Sequence, residues 1–249
     1  MLEQLEARRQ IAYLLTRPDS PQGRGRRVAP PPAKVAAERL GLPVRQPERL
    51  TADLELDADT IVVVAYGLVI PASLLDRALW LNVHPSLLPR WRGPAPVERA
   101  IMAGDHETGV TIHRTTEELD AGPIAAQRSF PIGPEDDAGA VFARAAEIAT
   151  ELLDGVLDRP AFRPQPDEGA TYAAKLTAAD RELDWSRPAE ELARQIRALS
   201  PHIGARGELQ GRRLTIWNAR VVDGCLEPLE VQPEGRRRMA YADFLRGLQ

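Results

Sequence analysis

Apolar positions recur every second residue in some stretches of the chain and every third or fourth in others, and the two rhythms divide it into elements. IAYLLT (11–16) and IVVVAYG (61–67) are short apolar runs, the pattern of parallel strands buried on both faces. Between them RPDSPQGRGRRVAPPPAK is rich in Pro, Gly and Arg, which predicts a long exposed loop. AKVAAERLG (33–41) has helical spacing and stops at Gly41, and PASLLDRAL (71–79) begins on a proline that suits the first helical turn. LNVH (81–84) reads as a third strand and PVERAIMAG as a helix closing on Gly104. TGVTIHRTT (108–116) and GPIAAQRSFPI (122–132) read as strands joined by the acidic turn EELDAG, and Asp136 to Leu157 as a long amphipathic helix. Strands alternating with helices predict an α/β fold built on an open, mostly parallel Rossmann-like sheet, with ligands at the carboxyl ends of the strands.

The rhythm then breaks. Residues 159–177 carry prolines and no period, the composition of a linker. DWSRPAEELARQIRALSP predicts a helix that starts after a Ser186 cap, with Glu190 behind it, and ends before Pro201. GELQGRRLTIWNARVVDG predicts a hairpin turning at Gln210-Gly211 inside a small β domain. The expected organisation is a catalytic domain over 1–160, a linker over 161–182 and a C-terminal β domain over 183–249.

Composition narrows the function classes. The chain has 249 residues, 43% hydrophobic and 27% charged, enough apolar material for a core. A single cysteine, Cys225, excludes an internal disulfide and any Cys-based zinc site. The four histidines lack H-x-x-x-H spacing, so no metal site is expected. MLEQLEARRQ is not a signal peptide and no run reaches membrane-spanning length, which points to a cytoplasmic protein with no membrane association. The net charge of −4 hides local asymmetry. Residues 17–39 carry Arg17, Arg24, Arg26, Arg27, Lys34 and Arg39 against Asp19 and Glu38 alone. Further basic groups are Arg206, Arg212, Arg213 and Arg220, then Arg236 to Arg238. Each could be a solvated face or a contact for RNA phosphates.

The candidate chemistry sits at the end of the third strand. Asn82 and His84 are two residues apart, so they share a face where the strand breaks at Pro85. An amide beside an imidazole can hold a developing oxyanion and handle a proton. The bland alternative is a polar pair at a solvated strand end.

The run from Asn82 through HPSLLPRWRG, followed by GDHETGVTIH and ELDAGPI around Asp120, resembles the folate-dependent formyltransferases. The loop RPDSPQGRG and the segments TYAAKL, DWSRPAEEL and RQIRALSP resemble the methionyl-tRNA formyltransferases within that superfamily, from about Arg17 to the C-terminus. The resemblance implies transfer of a formyl group from 10-formyltetrahydrofolate, as co-substrate, to the amino group of methionyl initiator tRNA, with no metal. Asn82 and His84 would stabilise the tetrahedral oxyanion and Asp120 would orient or charge His84. Ser86, Leu87, Leu88 and Pro89 would contact folate, with Tyr66, Gly67 and Leu68 flanking the pterin. Arg17, Arg24, Arg26, Arg27 and Lys34 would bind tRNA at the loop, Arg212 and Arg213 from the C-terminal domain, and the protein would act as a monomer. His113 is expected to be a structural strand residue.

Two departures from the family pattern set further expectations. The first strand of the usual sheet has no counterpart, so a gap should separate 11–16 from 61–67, costing on the order of ten kcal/mol of burial and giving a poorly folding, slow enzyme. The C-terminal domain passes from NARVVDG to LEPLEVQPEG without strands that a closed OB-like barrel would carry, which implies an incomplete barrel. The alternatives in function are formylation of a nucleotide-sugar amine or of glycinamide ribonucleotide, or a truncated inactive relative that binds only RNA or folate.

Overall fold

A computed structural model describes residues 1–22 and 27–248. In chain order the elements are α1 (Leu2–Glu6), β1 (Leu14–Leu15), β2 (Ser20–Gln22), β3 (Arg27–Ala29), α2 (Pro32–Arg39), β4 (Val44–Arg45), β5 (Thr60–Val63), α3 (Ala72–Leu75) and β6 (Leu79–His84). There follow α4 (Pro96–Ala103), β7 (Glu107–Arg114), β8 (Ile124–Pro131), α5 (Ala138–Asp158), α6 (Ala189–Leu199), β9 (Ala205–Leu209), β10 (Arg212–Val222), β11 (Cys225–Pro233), β12 (Met239–Ala240) and α7 (Tyr241–Arg246). The chain forms two compact units, Met1–His84 with Val110–Gln127 and Ala146–Pro166, and Pro85–Gly109 with Arg128–Ala145 and Asp167–Gln249.

In the first unit the strands are shorter than their apolar runs. Of IAYLLT only Leu14–Leu15 is a strand, parallel to Val44–Arg45. Of IVVVAYG the strand covers Thr60–Val63 and runs parallel to β6. The main sheet has the order β5-β6-β7-β8, and among the described residues no ladder joins it to β1. β6 pairs parallel with β5 on one side and antiparallel with β7 on the other, where Asn82 faces His113 and His84 faces Thr111.

Helix 71–79 is a correction. Only Ala72–Leu75 is helical, because Leu79 and Trp80 pair with Thr60 and Ile61 and are drawn into the sheet. Pairing with a neighbouring strand outweighs the weak helical preference of so short a segment. Trp80 is 2% exposed, packs with Leu50, Leu74 and Leu75, and its indole N–H donates to the Leu74 carbonyl oxygen at 2.8 Å. Leu81 and Val83, on the opposite face from Asn82 and His84, are both buried. Leu81→Ala would cost about 2–5 kcal/mol through lost burial and the cavity left behind.

The second unit holds an open antiparallel sheet in the order β12-β11-β10-β9. The hairpin turns as expected, with Leu209 paired to Arg212 and both Gln210 and Gly211 at positive φ, the geometry that matches strand twist. On α6, Leu192, Ile196 and Leu199 lie at helical spacing and join Leu214, Ile216, Val231 and Phe244 in one core. The Ser186 cap is also corrected, since α6 starts at Ala189 after Pro188. Ser186 instead donates both its N–H and its hydroxyl to the Asp184 carboxylate, at 3.0 and 2.7 Å. A competing local acceptor removed the cap. Among the described residues no helix is long and apolar enough to cross a membrane, and no cluster of His, Cys, Asp and Glu could hold a metal ion.

Candidate active site

β6 delivers Asn82 and His84 to one face, as the period of two requires. The antiparallel partner then sets His113 directly across from Asn82, and Thr111 across from His84. Four polar side chains thus line the middle of one sheet face. Thr111 and His113 alternate with the buried Val110 and Ile112, so β7 is covered on both sides.

The loop after β7 brings Asp120 over this face. Its backbone takes φ +50°, a left-handed conformation that aspartate tolerates better than most residues. Gly122 permits the loop's approach, since a Cβ there would lie 1.8 Å from the Arg114 carbonyl oxygen. Gln165 locks the loop from outside, its amide donating to the carbonyl oxygens of both Asp120 and Gly122 at 2.8 Å. The segment carrying Gln165 also pairs Arg163 with Ile124, so it is tied to the first unit at both points.

The result is a tight polar cluster. The Asn82 amide donates to the Asp120 carboxylate at 3.1 Å and lies 3.1 Å from His113 Nε2. His84 Nδ1 is 3.6 Å from the other Asp120 oxygen, and His113 Nε2 is 3.5 Å from the first. His84 and His113 are 4% and 1% exposed and meet edge to face. Burial matters because an opposite charge 3.6 Å away counts for far more here than in water. A positive charge forming on His84 would face Asp120 at once.

The other candidates are placed as follows. Immediately after β6, the Ser86 hydroxyl donates to the Arg90 carbonyl oxygen at 2.7 Å, and Ser86 and Leu88 are buried while Leu87 and Pro89 are half-buried. Tyr66 is half-buried, and burial raises its phenol above the ordinary range; its hydroxyl has no hydrogen-bond partner among the described residues. Gly67 takes φ +70°, its carbonyl oxygen accepting from Arg17 at 3.4 Å, and Leu68 is half-buried beside it. Lys34 pairs with Asp19 at 2.9 Å, Arg27 is exposed, and Arg24 and Arg26 lie outside the described residues. Arg212 is exposed and Arg213 pairs with Glu182 at 2.8 Å. Reading the sequence missed His113 and Gln165 as parts of the cluster. The only signal for His113 was its alternation with Ile112, which places it on a polar face but not on which one.

Comparison with known proteins identifies the family. The formyl transferase family model matches residues 1–157, and the model of the formyl transferase C-terminal domain matches 175–225. A protein of Paracoccus denitrificans named methionyl-tRNA formyltransferase is 43% identical over 277 aligned residues, covering 99% of this chain and 93% of the relative. Among solved structures, methionyl-tRNA formyltransferase from Clostridium thermocellum superposes with a TM-score of 0.61 at 22% identity, over 70% of this chain and 77% of that one. HypX from Aquifex aeolicus, crystallised with tetrahydrofolic acid, gives 0.62 at 23% identity over 75% of this chain, which spans 38% of that larger protein. A matched family model over most of the length, and a relative at this identity along nearly all of it, place the chain in the formyltransferase family.

Proposed function

We propose that this protein transfers the formyl group of 10-formyltetrahydrofolate to the amino group of methionyl initiator tRNA, in the cytoplasm and as a monomer. The observation that carries the reading is the convergence of Asn82, His84 and Asp120 in one buried cluster, in a chain 43% identical to a relative of that name. The names of the relatives favour this substrate over a sugar amine or glycinamide ribonucleotide.

The chemistry follows from the groups present. The methionyl amine attacks the formyl carbon, a C–N bond forms and the carbonyl oxygen becomes an oxyanion. Asn82 and His84 donate to that oxygen, where fixed donors stabilise the transition state far more than water does. Asp120 balances charge on His84, and the proton lost by the amine passes to N10 of the folate as the C–N10 bond breaks. Donation by Asn82 requires one amide hydrogen to leave Asp120 or His113, since both are engaged without substrate. Ser86, Leu87, Leu88 and Pro89, with Tyr66, Gly67 and Leu68, would hold the folate. Arg17, Arg24, Arg26, Arg27 and Lys34, with Arg212 and Arg213 on a C-terminal domain of 183–249, would meet tRNA phosphates.

The test is formylation of charged initiator tRNA in the presence of 10-formyltetrahydrofolate, beside a nucleotide-sugar amine and glycinamide ribonucleotide as competing acceptors. Formylmethionyl-tRNA as the dominant product supports the reading. Formylation of either small amine in its place overturns it.

A further inference from the structure

His113 is the fully buried titratable group that the mechanism above leaves without a role. Its two ring nitrogens have different partners. Nδ1 lies 3.0 Å from the Arg114 carbonyl oxygen, which can only accept, so Nδ1 carries the hydrogen. In the neutral ring Nε2 is then an acceptor, and the group 3.1 Å from it is the Asn82 amide nitrogen. The same nitrogen donates its second hydrogen to Asp120.

We propose that His113 is a positioning residue that fixes which way the Asn82 amide faces. An asparagine amide has two nearly isosteric orientations, and its neighbours decide between them. Turned over, the Asn82 oxygen would face the Asp120 carboxylate and the lone pair of His113 Nε2, an acceptor against two acceptors. With the His113 hydrogen on Nδ1 and a carboxylate at Asp120, only the orientation with the nitrogen inward avoids that clash. The Arg114 carbonyl, through the tautomer it imposes on His113, is the outer anchor of this chain of bonds. Both amide hydrogens are engaged without substrate, so the one held by His113 is the one released to the oxyanion while the other keeps the amide attached to Asp120.

The inference rests on the proposed formyl transfer, and its test has one arm that does not. Two variants replace the ring by side chains of similar reach. His113→Gln keeps an oxygen near the position of Nε2 that accepts from Asn82, while His113→Met offers none of comparable strength. For formyl transfer to initiator tRNA, His113→Met should lower kcat by about tenfold, less than the loss from removing an oxyanion donor, with KM for both substrates within about twofold. His113→Gln should recover most of that kcat. Full kcat in His113→Met, or equal loss in the two variants, overturns the proposal, as does a parallel change in kcat and KM. Independently of activity, nitrogen NMR of the intact protein should find neutral His113 with its hydrogen on Nδ1. A hydrogen on Nε2 instead refutes the positioning role even if the enzyme formylates tRNA. Failure of wild-type formyl transfer, with the Nδ1 tautomer present, would count against the proposed reaction and leave the tautomer arm standing.

Discussion

The candidate catalytic cluster and the basic candidates for tRNA contact are built in opposite ways. Asn82, His84, His113 and Asp120 come from two strands and a loop, are largely shielded from water, and bond to one another. Of the basic side chains that the structure describes, Arg27, Arg212, Arg213 and Arg220 are exposed and Lys34 is half-buried, and several are matched by a nearby acid: Lys34 by Asp19, Arg213 by Glu182, Arg220 by Glu227. Burial makes each polar group in the cluster expensive to remove, because its partners lose a bond they cannot regain from water. Exposure makes each surface pair worth little by itself, on the order of 0–1 kcal/mol. The difference teaches that the site should fail at single positions and the surface only by accumulation.

The largest expected effect is at the cluster. His84→Ala or Asp120→Asn should lower formyl transfer by about a hundredfold or more. Folate binding measured by fluorescence titration should survive both, and a near-full rate in either variant would erase the contrast.

A second case lies between the extremes. Arg99 beside Asp180, at 2.6 Å, holds that carboxyl down to about 2, with help from the Thr177 N–H and hydroxyl. A depressed carboxyl stabilises the fold above its ordinary range and loses that contribution as pH falls towards the folded value. The gap in denaturation free energy between wild type and Asp180→Asn should be about 2 kcal/mol at neutral pH and shrink by roughly half by pH 3. A gap that stays constant with pH would show that this half-exposed pair behaves like the surface ones.

Gln165 tests how far the cluster's rigidity extends. Gln165→Ala releases the carbonyl oxygens of Asp120 and Gly122 and should cut kcat by about tenfold, since misplacing a catalytic group costs less than deleting it. An unchanged rate would mean that Gly122 packing alone holds the loop.

The smallest effects belong to the surface. Arg27→Ala or Lys34→Ala should raise KM for tRNA by about two- to threefold each and shallow the salt dependence of binding by about one unit per lost phosphate contact. Folate affinity should be untouched. A large loss at either position would place it with the cluster instead.

Legibility in the sequence follows the same division. Asn82 and His84 could be read because spacing on a strand fixes a shared face, whereas Asp120 was legible only through the resemblance of ELDAGPI to the formyltransferases. His113 could not, since its place opposite Asn82 depends on the register between β6 and β7, which no local pattern encodes. Gln165 lies 45 residues from Asp120 in a stretch without period, where nothing in composition reveals a bond. Helix 71–79 and the Ser186 cap misled for a related reason. Each is locally reasonable, and in each a neighbour prevailed, the β5 strand for Leu79 and Trp80 and the Asp184 carboxylate for Ser186. The order of the elements and the hairpin at Gln210-Gly211 were readable because local chemistry alone determines them.

The most direct test of the central claim, that the buried groups act as one unit in formyl transfer, is a double-mutant cycle on kcat with His84→Ala, Asp120→Asn and the two combined. If Asp120 acts through His84, the double variant should be no slower than the slower single variant, within about twofold. Rate losses that multiply, so that the double variant falls by the product of the two, would show independent roles and contradict the account.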